Sequence, residues 1–219
     1  PDGKVEVNGT FVKKSAQTFV DVPENAYYTP AVNWAVEKGV TKGTSATTFS
    51  PDAACTRAQI VTFLYRAAGS PAVKSTVNPF TDVTASDYYY NAVLWAVENG
   101  ITTGTSETTF SPNESCTRAQ CVTFLYRAVG SAATAKASFT DVSADAYYAP
   151  AVDWAVEKGV TTGTSATTFS PDAACTRAQI VTFLWRSEKS PAAGTANPFA
   201  DVKPTVYYAD AVLWAVKED

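Results

Sequence analysis

Residues 55–68 read Cys-Thr-Arg-Ala-Gln-Ile-Val-Thr-Phe-Leu-Tyr-Arg-Ala-Ala, and this run decides the fold. Thr56 followed three positions later by Gln59 has the form of a capping box: the threonine caps the helix and the glutamine reaches back to the Thr56 N–H. Ile60, Val61, Leu64, Ala67 and Ala68 then recur at three- and four-residue intervals, the stripe of a helix that buries one face. Gly69 and Pro71 end it. On the N-terminal side, residues 41–54 are rich in Thr, Ser, Gly and Pro and read as a loop, with a short extended piece at Thr48–Phe49. Before that loop lies a second amphipathic run, residues 28–38, with Tyr28, Ala31, Val32 and Ala35 on one face. Pro30 suits its first turn, where a missing N–H costs nothing. Gly39 suits the left-handed position after its end, with Val40 folding back as in a Schellman motif.

This helix–loop–helix unit recurs along the chain. Phe-x-Asp-Val places its aspartate at Asp21, Asp82, Asp141 and Asp201, and a tryptophan follows thirteen residues later at Trp34, Trp95, Trp154 and Trp214. Cys-Thr-Arg-Ala-Gln recurs with Arg57, Arg118 and Arg177, thirty-six residues after the aspartate each time. Residues 44–64 are identical to residues 164–184, while the middle copy has diverged, so what the middle copy keeps says more. The divisions are residues 19–71, 80–131 and 139–191, and a partial fourth unit, 199–219, that stops after its first helix. A unit of this size is marginal alone, so the repeats are expected to share one core as one domain. The fourth unit would complete the last groove or the edge of the bundle. Ahead of the repeats, in residues 1–18, Lys4-Val5-Glu6-Val7 and Thr10-Phe11-Val12-Lys13 flank Asn8-Gly9, the signature of a short β-hairpin. The fold class is therefore mainly α with a short N-terminal β-hairpin.

Composition narrows the chemistry. The 219 residues include no histidine and no methionine. Without imidazole, serine–histidine, cysteine–histidine and two-histidine zinc chemistry are excluded within this chain. Lacking methionine, the sequence reads as a segment processed or cut from a longer chain. A net charge of −4 and a pI near 4.9 speak against nucleic acid as a partner. The apolar stretches are too short for membrane insertion. Asp52 and Asp172 become Asn113 in the middle copy, which argues against a repeated metal site. No carboxylate pair stands out for acid–base work, and no cofactor motif is present.

The best candidate site is the Thr-Arg-Ala-Gln turn. A helix N-terminus carries unpaired N–H groups and a positive dipole end. Arginine there is misplaced if it serves only the helix, and fits if Arg57, Arg118 and Arg177 grip an anion beside the helix end. The alternative is a salt bridge to a neighbouring acid. Gln59, Gln120 and Gln179 are either ligand contacts or caps alone. Cys55, Cys116 and Cys175 precede the caps as small hydrophobes, facing Ile60, Cys121 and Ile180 in a hydrophobic staple. Cys116 and Cys121 would then lie side by side, as free thiols or as a disulfide. Asp21 and its copies read as turn or cap residues, and the tryptophans fall at core spacing.

In order, Phe-x-Asp-Val, the aromatic pair, Ala-Val, Gly-Val-Thr-x-Gly, Phe-Ser-Pro and Thr-Arg-Ala-Gln resemble the S-layer homology domain over residues 19–219. The resemblance implies a pseudo-threefold bundle whose inter-repeat grooves bind secondary cell-wall polysaccharide, often bearing pyruvate ketals. It implies a non-catalytic module anchoring an exported protein to a bacterial cell wall, outside the cell. The alternative is a scaffold that assembles with other surface-layer proteins. Departures are specific. The family favours glutamate where Gln59, Gln120 and Gln179 stand, and tryptophan where Tyr27, Tyr88 and Tyr147 stand. Those tyrosines either stack on a sugar or join the core. Gly43, Gly104 and Gly163 match a family glycine and either permit close ligand approach or simply make a turn. Lys42 replaces the threonine found at Thr103 and Thr162, which makes the first groove more cationic.

Overall fold

The computed structural model describes residues 19–75 and 77–191, together with the backbone of two short strands. Those strands, β1 (Val5–Val7) and β2 (Thr10–Val12), pair antiparallel with Val5 opposite Val12. The Asn8-Gly9 turn between them and the partial fourth unit lie outside the described residues. The repeats contribute α1 (Thr29–Glu37) and α2 (Arg57–Ala67), α3 (Tyr90–Glu98) and α4 (Arg118–Val129), and α5 (Ala149–Glu157) and α6 (Arg177–Ser187).

Each second helix starts as its sequence predicts. Thr56, Thr117 and Thr176 accept from the N–H groups of Gln59, Gln120 and Gln179, and each glutamine Oε1 accepts from the threonine N–H in return. The first helices end at Gly39, Gly100 and Gly159, all with positive φ. Val160 N–H bonds back to Ala155 O and Gly159 N–H to Val156 O, the two bonds of a Schellman end. Residues 48–49 form no strand; their backbone is held by a side chain instead.

The second helices α2, α4 and α6 meet one another at the centre, and the first helices lie outside them. Each first helix packs on the second helix of another repeat: α3 on α2, α5 on α4 and α1 on α6. The ring therefore closes without residues 199–219, because α1 already occupies on α6 the place that α3 and α5 occupy on α2 and α4. This corrects the expectation that the fourth unit completes the last groove. Phe49, Phe110 and Phe169 are fully buried, each contributing about 2–3 kcal/mol of transfer free energy. Trp34 and Trp154 are buried as their spacing predicts, and Trp95 is half-buried.

At the pseudo-threefold axis the backbone makes a closed ring. Cys116 N–H donates to Cys55 O, Cys175 to Cys116, and Cys55 to Cys175, at 2.8–2.9 Å. All four cysteines are buried and free, so no disulfide joins Cys116 to Cys121. The thiol of Cys121 hydrogen-bonds instead with Cys175, because the ring brings the third repeat's turn against α4. Burial pushes the Cys55 thiol up to about 12 and Cys116 and Cys121 upward as well, which keeps these groups protonated.

Asp21, Asp82 and Asp141 are long-range clamps rather than local caps. Each carboxylate accepts from two consecutive N–H groups of its Phe-Ser-Pro loop, at Phe49 and Ser50, Phe110 and Ser111, or Phe169 and Ser170, at 2.7–2.8 Å. The serines sit at φ of 57–58°, a left-handed conformation that needs outside support. Desolvation raises the Asp21 and Asp141 carboxyls, but the backbone N–H bonds outweigh it and leave both below the usual 3.8. A depressed folded-state value contributes stability that is complete above the unfolded value and is lost as pH falls through the folded one. Stability should therefore decline below about pH 4, and Asp21→Asn with Asp141→Asn should flatten that decline. Urea midpoints at pH 6 and pH 3 test this; equal slopes in wild type and variant would remove the clamp from the account.

Candidate functional site: three grooves between repeats

Three grooves surround the bundle, each built from all three repeats. One collects Arg57 from the first repeat, Gly104 and Gln120 from the second and Tyr147 from the third. The next collects Arg118, then Gly163 and Gln179, then Tyr27 from the first repeat. The last collects Arg177 from the third repeat, Lys42, Gly43 and Gln59 from the first, and Tyr88 from the second. Every residue singled out on sequence grounds except the cysteines thus lines a groove. The cavities measure about 330, 190 and 400 Å³ in the same order. The largest holds Lys42, where Thr103 and Thr162 stand in the others.

The arginines lie deep rather than at the surface. Arg57, Arg118 and Arg177 are each 3% exposed. Their Nε atoms donate to Phe110 O, Phe169 O and Phe49 O, each in another repeat, at 2.8 Å. Each guanidinium lies over two phenylalanine rings: Arg57 over Phe110 and Phe124, Arg118 over Phe169 and Phe183, Arg177 over Phe49 and Phe63, at 4.8–5.5 Å. Among the described residues no carboxylate is paired with them, which removes the salt-bridge alternative. In all three, Nη2 is buried without a partner. Burial draws these guanidinium pKa values down, yet arginine stays charged. A buried, charged donor with no acceptor is costly alone and points to something outside the protein.

The helix N-terminus, by contrast, is not available. Arg57 N–H donates to Glu114 O and Ala58 N–H to Pro112 O, and the same pattern links Arg118 and Ala119 to Ala173 and Pro171. Arg177 and Ala178 likewise reach Ala53 and Pro51. The third N–H of each helix goes to its threonine cap. The orphan donors that would cradle an anion are therefore spent on joining repeats. Recognition of an anion falls to side chains.

Gly43, Gly104 and Gly163 are demanded by the turn. Their φ values are 86–88°, and a Cβ at Gly43 would strike the Phe19 ring and the carbonyl oxygens of Thr48 and Ser45. Their N–H groups donate to Thr41, Thr102 and Thr161, and the bare backbone forms one groove wall. Tyr27, Tyr88 and Tyr147 are 60–64% exposed at the groove edge, each braced edge-on by the next tyrosine. Partial burial raises their phenols, which remain neutral donors.

A second arginine in each groove escaped the sequence reading. Arg66, Arg127 and Arg186 line the cavities, with Nη1 donating to Val40 O, Ile101 O and Val160 O at 3.2–3.3 Å. The signal was present: Gln59, Thr62, Phe63 and Arg66 are spaced i, i+3, i+4 and i+7, one face of a helix. The same spacing recurs in α4 and α6 and includes the diverged middle copy. Each groove therefore presents two guanidiniums, and none of the described lining residues is acidic.

Comparison with known proteins agrees with this architecture. The profile of the S-layer homology domain matches residues 18–61, 79–120 and 138–181, more than half of the chain. An endoglucanase of Bacillus sp. (strain KSM-635) is 39% identical over 53% of this chain and 12% of its own length. The surface-layer 125 kDa protein of Lysinibacillus sphaericus is 33% identical over 58% of this chain and 11% of its own. A cellulosome-anchoring protein of Acetivibrio thermocellus is 28% identical over 77% of this chain and 39% of its own. The chain thus spans well under half the length of these relatives. No described helix is long and apolar enough to cross a membrane. Three tandem matches, the closed ring of repeats and the surface-protein relatives together make this chain a member of the S-layer homology domain family, a cell-surface anchoring module.

Proposed function

We propose that the three grooves bind an anionic secondary cell-wall polysaccharide, with a carboxylate such as a pyruvate ketal seated between the paired guanidiniums. One observation carries the reading: each groove holds a buried Nη2 with no acceptor, in a lining without a carboxylate. A planar carboxylate is the ligand a guanidinium fork matches. The tyrosine at the edge offers a face for the sugar ring. Three such sites on one chain would convert weak single contacts into firm retention on a polymer. The protein's net charge of −4 is no obstacle, because the attraction is local. The module itself is non-catalytic in this reading: there is no histidine, and the repeated aspartates are occupied by backbone N–H groups.

The test is binding to purified wall polysaccharide before and after mild acid removal of its ketals. Strong retention before and a loss of at least about tenfold after is the expected result. Equal retention on ketal-free glycan would remove the carboxylate from the account, and retention on walls stripped of polysaccharide would favour a protein partner in an assembly scaffold.

A further inference from the structure

In all three repeats the capping box divides the glutamine amide. Oε1 of Gln59, Gln120 and Gln179 accepts from the threonine N–H, at 3.2–3.3 Å. A backbone N–H can bond only to the oxygen, so the cap fixes which way each amide points. The NH2 end is left over, with no protein partner among the described residues, and each glutamine lines its groove. Near it lie the deep arginine with its unpartnered Nη2 and the arginine at the end of the same helix.

We infer that Gln59, Gln120 and Gln179 are specificity-determining residues, each donating its amide N–H to an acceptor oxygen of the ligand. This rests on the anionic-ligand reading and adds to it what the neighbouring ligand atom must be: an anionic or carbonyl oxygen, not a hydroxyl acting as donor. The cap alone does not require glutamine, since a glutamate carboxylate accepts the same threonine N–H and suits a helix N-terminus better. What glutamine adds is a neutral donor and the absence of a charge. A carboxylate at this point would offset one of the two guanidiniums and repel an anionic ligand.

The isosteric replacement separates the two roles. The full chain carrying Gln59→Glu, Gln120→Glu and Gln179→Glu retains its caps, so its melting temperature should be equal to or above that of wild type. The probe is a methyl glycoside of an N-acetylhexosamine bearing one pyruvate ketal, titrated by calorimetry at pH 7. The variant should bind about tenfold or more weakly, from lost donors and like-charge repulsion. As pH falls through about 4.3 the introduced carboxyls protonate. The ketal acid, acidified by its ether oxygens, stays ionised. The variant's affinity should then rise toward wild type over that range, a change that a capping role alone would not produce.

If wild type binds and the variant binds equally or more tightly at pH 7, this inference is overturned while the anionic-ligand reading stands. A weakened variant whose affinity does not recover at low pH also overturns it, since the loss would then be steric. If wild type does not bind the ketal glycoside, the functional reading fails and this inference fails with it.

Discussion

Arg57→Met should lower the stability of the folded chain by about 3 kcal/mol, before any ligand is considered. Its Nε–H bond to Phe110 O joins the first repeat to the second and is buried. Removing it leaves that carbonyl without its donor, a cost of about 1–3 kcal/mol. Loss of the guanidinium from between Phe110 and Phe124 adds about 0.5–2 kcal/mol. Methionine recovers part of the packing, and losing a buried charge recovers part of the desolvation cost. For a domain of this size that is a drop of roughly 6–12 °C in Tm. The same argument holds for Arg118 and Arg177, which close the other two junctions. Because the sites act on one ring, replacing all three should leave no cooperative unfolding transition at room temperature, given net stabilities of about 5–15 kcal/mol. Calorimetry and urea titration of the single and triple variants are the measurement. A single variant melting within a degree or two of wild type would show that the arginine is not a strut between repeats.

This result governs how the second large effect is sought. A binding assay on the deep arginines confuses folding with recognition, whereas Arg66, Arg127 and Arg186 separate them. These residues sit half-buried, each making one weak bond to a carbonyl of its own repeat. Alanine at all three should cost the fold modestly, about 1 kcal/mol per site. Each groove, however, loses one of its two guanidiniums. A charge-assisted bond to a carboxylate contributes about 1.5–3 kcal/mol, so each groove should weaken by roughly tenfold to a hundredfold. On a polymer contacted by several grooves, those losses multiply, and retention on ketal-bearing wall glycan should fall to the level of ketal-free glycan. Unchanged retention by a folded triple variant would place the ligand elsewhere.

Much of this was legible in the chain. Thr56 and Gln59 predicted the cap atom for atom, and Gly39 predicted the end of α1. Helix signals of this kind are local, so sequence carries them directly. The grooves were partly legible: Arg57, Gly104, Gln120 and Tyr147 stood out one at a time by their recurrence. That they belong to one groove could not be read, because they come from three repeats. Arg66 was missed because cations in a last helical turn have an ordinary explanation in the helix dipole. The reading of the N-terminal N–H groups as an anion cradle failed for a related reason. An isolated helix has orphan donors, but here a neighbouring loop meets them.

Sequence alone determined the helices, their caps and ends, the threefold repetition, and the residue types at every recurring position, since each depends on neighbours within a turn or two. Tertiary structure alone decided where α1 docks, which carbonyl receives each arginine, that the cysteines form a closed ring of backbone bonds, and that Asp21 holds a loop twenty-eight residues away. The physical reason is common to all four. Each is a hydrogen bond or packing choice with several chemically equivalent partners along the chain, and only closure of the ring selects among them.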